Sequence, residues 1–324
     1  MARLCVPVNK TAIQRTTQKT RREGVILKTA VICVAYLGPA RGVELLAHYF
    51  ARSDADIWLH VDAATDAADY QSLAARVTNL YMVEPRMRCW WGGFNGAVAV
   101  LAACAMAQKA KDYDRFLYLT EDTVPLLRLE KLLARLAEPV EYIEMSHTKA
   151  LSRAESARVR ARYDRFCCWD CDAMNPRLAS MRGYPDDEGW AVTAAMETQI
   201  MRLAQLRARG KAPLARVWSG PCYWALSAPA VEELLTRHRQ DTWFRESFEF
   251  SAAPEEQYYH TILGESRRRR RAPFILMDWS RNPRPFVFRT RDELLALQAY
   301  PHLFARKVDF DSEEVREFVA ELAP

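Results

Sequence analysis

Along the chain, continuous apolar runs alternate with segments of helical spacing. Thr29–Leu37 is apolar throughout and rich in β-branched residues, the pattern of a strand covered on both faces. Gly38-Pro39 breaks it, and Val43, Leu45, Leu46, Tyr49 and Phe50 then recur at helical spacing. Asp56–Val61 reads as a second strand, Ala67–Arg76 as a helix and Leu80–Val83 as a third strand. A Gly-Gly turn leads into an Ala-rich helix over Asn95–Lys111, followed by strands at Arg115–Leu119 and Val140–Glu144. Residues 146–216 are charged, mixed with aromatics and without clear period, so they read as an irregular acceptor-side insertion. Order returns at Val217–Leu226, then with helices over Ala228–Arg239 and Pro254–Leu263. Phe274–Trp279 and Phe286–Phe288 read as strands, Arg291–Gln298 and Ser312–Leu322 as helices.

Strands and helices alternating at this spacing predict an α/β fold with a doubly wound, mostly parallel sheet. The expected layout is a flexible basic tail over 1–27, one domain over 28–311 and a C-terminal helix over 312–324. In such sheets ligands sit beyond the carboxyl ends of the strands. That rule selects Tyr36, Asp62, the Glu84–Phe94 loop and Thr120–Pro125 as the rim of a site.

Composition changes this picture little. Half of the 324 residues are hydrophobic and 27% are charged, which excludes a disordered chain. The net charge of +5 is too mild to imply nucleic acid, and suits a protein that handles a diphosphate. No apolar stretch approaches the ~18 residues of a membrane span, and the start shows no secretory pattern. The eight cysteines are scattered and read as reduced small hydrophobes. Cys168-Trp-Asp-Cys171 has no second pair to complete a zinc site, so no metal is expected.

Four clusters could carry chemistry, and each has a plainer reading. Arg88-Cys-Trp-Trp-Gly-Gly-Phe-Asn95 offers a flat wall for a sugar or a base, or else a core aromatic pair and a turn. Leu119-Thr-Glu-Asp-Thr-Val-Pro125 places acids just past a buried strand, for a metal, for sugar hydroxyls or for a helix cap. Pro254-Glu-Glu-Gln-Tyr-Tyr-His-Thr261 puts two carboxylates in the first turn of a helix, as capping acids or as a general base favoured by the dipole. Leu303-Phe-Ala-Arg-Lys307, with Arg281, Arg284 and Arg289 before it, is a solvated face or a cationic cradle for a leaving diphosphate. Arg267–Arg271 reads as a solvated loop, with peripheral contact to anionic lipid as the second reading.

The order and wording of these clusters resemble the core-2/I-branching β-1,6-N-acetylglucosaminyltransferase family, which includes peptide O-xylosyltransferases and bacterial relatives. The resemblance runs from about Ala30 to Asp311 apart from the middle. Its motifs are the opening strand AVICVAYL, His60-Val61-Asp62, Trp91-Gly92-Gly93-Phe94, Thr120–Leu126, Gly220–Leu226, Pro254–Thr261 and Phe304–Val308. It implies a GT-A-like fold and an inverting transferase without a required metal or other cofactor. A sugar, N-acetylglucosamine or xylose, would pass from a UDP-sugar to a hydroxyl of a glycan acceptor. It further implies Glu256 as general base and Lys307 with Arg284 (or Arg281) on the leaving group. Asp62, Trp91, Arg281 and Arg306 fall to the donor, and Glu121, Asp122 and Trp218 to the acceptor. The family's P-D-E reads P-E-E here, and Asp122 falls one residue early, which leaves the acceptor open. Two alternatives stand beside this reading. One is a metal-dependent transferase using Glu121 and Asp122, or Asp54 and Asp56. The other is a nucleotide- or carbohydrate-binding protein without catalysis. Golgi members carry an N-terminal membrane helix that this sequence lacks. The expectation is therefore a cytoplasmic protein, at most peripheral to the inner membrane, acting in polysaccharide biosynthesis.

Overall fold

In a computed structural model of the chain, residues 27–38, 40–172, 174–175, 194–210, 214 and 216–323 are described. The expected basic tail up to residue 26 and part of the insertion lie outside them.

The chain runs β1 (Thr29–Ala35), α1 (Arg41–Phe50), β2 (Ala55–Val61), α2 (Ala68–Arg76), β3 (Leu80–Met82), α3 (Phe94–Ala110) and β4 (Arg115–Thr120). It continues through β5 (Thr123–Pro125), α4 (Leu129–Leu136), β6 (Glu141–Ile143), β7 (Ser146–His147), α5 (Arg153–Asp164) and α6 (Ala194–Arg209). Then come β8 (Trp218–Ser219), β9 (Trp224–Ser227), α7 (Ala228–Gln240), α8 (Thr242–Glu249) and α9 (Tyr258–Leu263). Last are β10 (Arg270–Arg271), β11 (Ile275–Leu276), α10 (Arg291–Leu297), β12 (Phe304–Arg306) and α11 (Glu313–Leu322).

Seven strands form the main sheet in the order β10-β6-β9-β4-β1-β2-β3. The pairs among β4, β1, β2 and β3 are parallel, and β9 runs antiparallel to both β4 and β6. Every residue of β1 and β4 is buried, so neither strand alternates, as expected when helices cover both faces of a sheet. Helix α3 lies across β1 and β2, while α1 packs against β2 and α11. Val315, Phe318, Val319 and Leu322 bring α11 into the same hydrophobic core as the strands. The mixed α/β architecture with a large, mostly parallel sheet therefore agrees with the sequence pattern. No helix among the described residues is long and apolar enough to cross a membrane.

Four local expectations change. Among the described residues the insertion holds two helices, not irregular chain alone. Helix α5 starts on a capping box between Ser152 and Glu155 and buries only Val159 and Tyr163. Two apolar positions four apart, in a run of arginines, leave almost no period to read. The expected helix over Pro254–Leu263 is a single 3-10 turn, Pro254–Glu256, and then α9. Ala253 enters that turn with a left-handed φ of 46°, and Gln257 breaks it, with its side-chain amide drawn to the carbonyl of Val159 at 2.7 Å. Glu255 and Glu256 thus do not sit in the first turn of a long helix. A second sheet, β11-β12-β5, replaces the long strands expected at Phe274–Trp279 and Phe286–Phe288. Of the latter, only an isolated bridge between Phe288 and Val308 remains. Finally, the arginine run is not simply a solvated loop. Arg270 and Arg271 form edge strand β10, Arg270 donates to the carbonyls of Leu263, Gly264 and Ser266, and Arg268 and Arg271 pair with Glu233 and Glu138.

At the amino end of β4, Arg115 donates to the carbonyls of Val140 and Glu138, both at 2.9 Å, and pairs with the buried Glu141 at 3.4 Å. Glu141 in turn accepts from the backbone and hydroxyl of Ser227. This knot joins β4, β6 and β9 where the sheet turns from parallel to antiparallel. Arg115→Ala leaves Glu141 charged and buried, so urea unfolding should show a loss of about 3–5 kcal/mol. A loss below about 1 kcal/mol contradicts the knot's role.

Candidate active site

Because β1, β2 and β4 are parallel, their carboxyl ends gather at one edge, where Ala35 stands opposite Val61 and Val34 opposite Thr120. Tyr36–Gly38, Asp62 and Thr120–Asp122 follow there. The opposite edge carries Asp54 and Asp56, which pair with Lys111.

Asp122 and Arg306 meet at the site's centre. Arg306 ends β12, whose antiparallel register on β5 sets it opposite Thr123. Its guanidinium donates to Asp122 in a two-point pair, Nε to Oδ1 at 3.0 Å and Nη2 to Oδ2 at 2.9 Å. It also lies 4.9 Å from the Tyr223 ring and 3.3 Å from the Tyr36 hydroxyl. Burial alone would raise the Asp122 pKa; Arg306 and the Thr120 hydroxyl override it and hold the carboxyl below its usual range. Lys307 follows directly. With Gly38, Arg41 and Glu121 it lines a cleft of about 250 Å³, and its carbonyl accepts from Phe288.

Glu121 faces the other way, as a clamp on the turn after β1. It accepts from the backbone N–H of Tyr36 at 2.6 Å, from that of Leu37 and from the Tyr70 hydroxyl, which itself accepts from Gly38 N–H at 2.8 Å. Burial raises its pKa, and these donors offset part of the rise.

The His60-Val61-Asp62 segment anchors the loop over 84–93. Burial lowers the His60 pKa, and its Nε2 accepts from Met87 N–H at 2.9 Å. Asp62 accepts from Cys89 N–H at 2.8 Å, from Ala64 N–H at 2.7 Å and from Arg88 Nη1 at 2.9 Å.

The tryptophan loop beyond Cys89 is met by the segment over 167–175. Trp169 stacks on Trp91, with ring centroids 5.9 Å apart and 18° between planes. Asp170 caps α3 from outside, accepting from Phe94 N–H at 2.7 Å and Asn95 N–H at 3.2 Å. A Cβ at Gly93 would stand 2.0 Å from the Asp170 carboxylate, so a larger residue there would displace the capping side chain. Burial pushes Asp170 up to about 6. Asn175, fully buried, ties the carbonyls of Trp91 and Trp169 together at 2.9 Å each.

The glutamate turn closes the ring of motifs. Ala253 N–H bonds to the carbonyl of Gly92 at 2.9 Å and Gly220 N–H to that of Glu256 at 3.0 Å. Glu256 pairs with Arg162 of α5, whose carbonyl accepts from Ala252 N–H. Glu255 turns instead toward α3, beside Gly96. Tyr223, next to the buried Cys222, carries Arg306 against its ring, which joins the segment after Gly220 to the β12 strand end.

The structure thus gathers Glu121, Asp122, Arg306, Lys307, Asp62, Trp91 and Glu256 around one sheet edge. Their side chains differ in availability. Asp122 and Arg306 are consumed by each other, and Asp62 and Glu121 hold backbone. Trp91 is 56% exposed. Arg284 is exposed and makes no hydrogen bond or ion pair among the described residues, while Arg281 pairs with Asp278 and stacks 3.7 Å over Phe286. Trp218 is packed by His147, Gly264 and Arg270, with its buried Nε1 unpaired.

Arg162, Trp169 and Asp170 were not singled out in the sequence, and Glu255 was read only as the second carboxylate of its turn. One signal existed for Asp170: α3 starts on Gly93 with no capping side chain of its own, so its cap had to come from elsewhere. Among the described residues no group of three or more His, Cys, Asp and Glu could hold a metal ion, and all seven described cysteines are free. No protein-family model and no curated protein matches the chain.

Removing either member of the buried pair strands the other, so Asp122→Asn and Arg306→Met should each cost about 3–5 kcal/mol in urea unfolding. The double variant should cost less than the sum, because the two share one interaction. Asp122's folded pKa is depressed, so its contribution is present above about pH 3.9, the unfolded value, and lost as pH falls through the folded one. Wild type and Asp122→Asn should therefore converge in stability at acid pH; a constant gap contradicts the assignment.

Proposed function

We propose that the chain is an inverting, metal-independent glycosyltransferase of GT-A-like fold, similar to the core-2/I-branching family. It would move a sugar, N-acetylglucosamine or xylose, from a UDP-sugar to a hydroxyl of a glycan acceptor. The observation that carries this reading is convergence. Segments far apart in sequence are bonded or packed directly on one another near the carboxyl edge of the sheet: Ala253 of the glutamate turn on Gly92 of the tryptophan loop, Gly220 on Glu256, Arg306 on the Tyr223 ring and Arg306 on Asp122. These are the segments on which the sequence resemblance rests, and a ligand site is expected at that edge.

In the reaction proposed, Glu256 takes the proton of an acceptor hydroxyl as its oxygen attacks C1 of the sugar. The bond from C1 to the UDP oxygen breaks, and the electron pair leaves with UDP. Lys307, beside the cleft, stabilises the diphosphate, with Arg284 as its partner on the chain leading to Phe288. Arg306 is engaged by Asp122, so it fixes the strand end that presents Lys307. Trp91 offers a ring face to the donor and Asp62 holds the loop that carries it. Glu121 and Asp122 are taken up by internal donors, which weighs against a divalent cation held by that pair.

UDP release from a panel of UDP-sugars, with and without EDTA, tests the reading. Turnover that resists EDTA and falls about 10²–10⁴-fold in Glu256→Gln is expected. Turnover that collapses with chelator and ignores Glu256 sinks it in favour of a metal-dependent transferase. UDP binding with neither hydrolysis nor transfer favours a binding protein.

A further inference from the structure

Helix α5 meets the glutamate turn on one face. Val159 stands three residues before Arg162 and four before Tyr163, so the three side chains are neighbours on the helix surface. Val159 and Tyr163 are buried, Tyr163 against Phe248 with ring centroids 4.8 Å apart. Arg162 reaches the turn instead of the core, and its Nη1 donates to Oε2 of Glu256. The nearby Arg160 is engaged elsewhere, by Asp164 and the carbonyl of Leu214.

Backbone contacts fix this meeting without help from the ion pair. The carbonyl of Arg162 accepts from Ala252 N–H at 2.9 Å. The carbonyl of Val159 accepts from the buried side-chain amide of Gln257 at 2.7 Å. These two bonds bracket the Pro254–Glu256 turn, one on each side, so α5 holds Arg162 beside Glu256. Stability does not account for the guanidinium. The two side chains are 37% and 38% exposed, and ion pairs that water reaches contribute little to folding. What the pair settles is the conformation of Glu256. A half-exposed glutamate otherwise keeps its rotamer freedom, and here one carboxylate oxygen is held. The other, Oε1, accepts no hydrogen bond among the described residues.

We propose that Arg162 is the positioning residue for Glu256: it holds Oε2 and leaves Oε1 to take the proton of the acceptor hydroxyl. This rests on the reading of Glu256 as the base. In the step, the proton passes from the hydroxyl to Oε1 and the hydroxyl oxygen forms the bond to C1. The bond from C1 to the UDP oxygen breaks, and its electron pair leaves with UDP. Arg162 stays protonated throughout, so its contribution is orientation. A reacting group misplaced by about 1 Å can lose on the order of 10²-fold in rate. Because Arg162 uses one N–H and not a two-point fork, the point charge of a lysine can stand in for it.

The test compares wild type, Arg162→Met, Arg162→Lys, Glu256→Gln and the double variant Arg162→Met with Glu256→Gln. It follows UDP release from a panel of UDP-sugars, with thermal melts and calorimetric titration of UDP. Arg162→Met should lose about 10–100-fold in kcat. Its donor KM and UDP affinity should stay within about threefold of wild type, because the pair touches the base and not the cleft beside Lys307. Arg162→Lys should return to within about fivefold of wild type. In the Glu256→Gln background, Arg162→Met should change kcat by no more than about twofold, since a residue that acts through Glu256 has nothing left to hold. The Tm of Arg162→Met should lie within about 2 °C of wild type, as for an exposed ion pair.

Undiminished kcat in Arg162→Met overturns the proposal. So does an equal loss in both backgrounds, which makes Arg162 an independent group, or a raised donor KM with kcat unchanged, which makes it a binding residue. A Tm lowered by more than about 5 °C, with Arg162→Lys no better than Arg162→Met, makes it structural and overturns the proposal too. Full turnover in Glu256→Gln, or a wild type silent toward every donor, is a different failure: it removes the reading of Glu256 as base, and the role of Arg162 with it.

Discussion

Between the main sheet and the small one lie two opposite charges, the Asp122 carboxylate and the Arg306 guanidinium, joined by two hydrogen bonds and almost closed to water. Taking both from water costs several kcal/mol per ion, and their attraction returns this only when the geometry is good and the remaining lone pairs are satisfied. Here they are. Thr120 donates to Asp122, and Arg306 reaches the Tyr36 hydroxyl and lies against the Tyr223 ring. An alternative register of β12 on β5 would separate the charges and leave each buried alone. The pair therefore selects one placement of the strand end, and Lys307 is the next residue along.

The same economy governs the rest of the sheet edge. Polar side chains there mostly hold backbone: Glu121 the turn after β1, His60 and Asp62 the 84–93 loop, and Asp170 the start of α3. Loops carry the site, but each is tied to a strand end or to another loop. The tryptophan loop and the glutamate turn share a hydrogen bond from Ala253 to Gly92. A preorganised edge of this kind suits chemistry in which charge on a leaving group must be met without rearrangement.

Much of the frame was legible in the sequence. The apolar run at β1 was read as a strand covered on both faces, β4 was read as a strand, and Ala-rich α3 was read within a residue or so of its ends. The rule that ligands collect at carboxyl ends selected Tyr36, Asp62 and Thr120–Asp122, which the strand register does place along one edge of the sheet. Legibility fails where contacts are long-range. Arg162 is one arginine among many on a charged helix, and nothing nearby ties it to Glu256. Asp122 and Arg306 are 184 residues apart, so their mutual neutralisation, which removes both as free ligand groups, is invisible locally. The glutamates looked like helix-capping acids, yet Ala253 and Gln257 reduce that helix start to one 3-10 turn. Short edge strands such as β10 and β11 have two residues each, too few for any period to show.

The central claim is that protein cations at the cleft beside Lys307, and not a divalent ion, hold the diphosphate of a nucleotide donor. Calorimetric titration of UDP in EDTA, with wild type and Lys307→Ala, tests it most directly. The account predicts binding to the wild type in EDTA and an affinity at least about tenfold weaker in the variant, the loss of a charge-assisted contact. Binding that requires a divalent cation, or that is the same in both proteins, would contradict it.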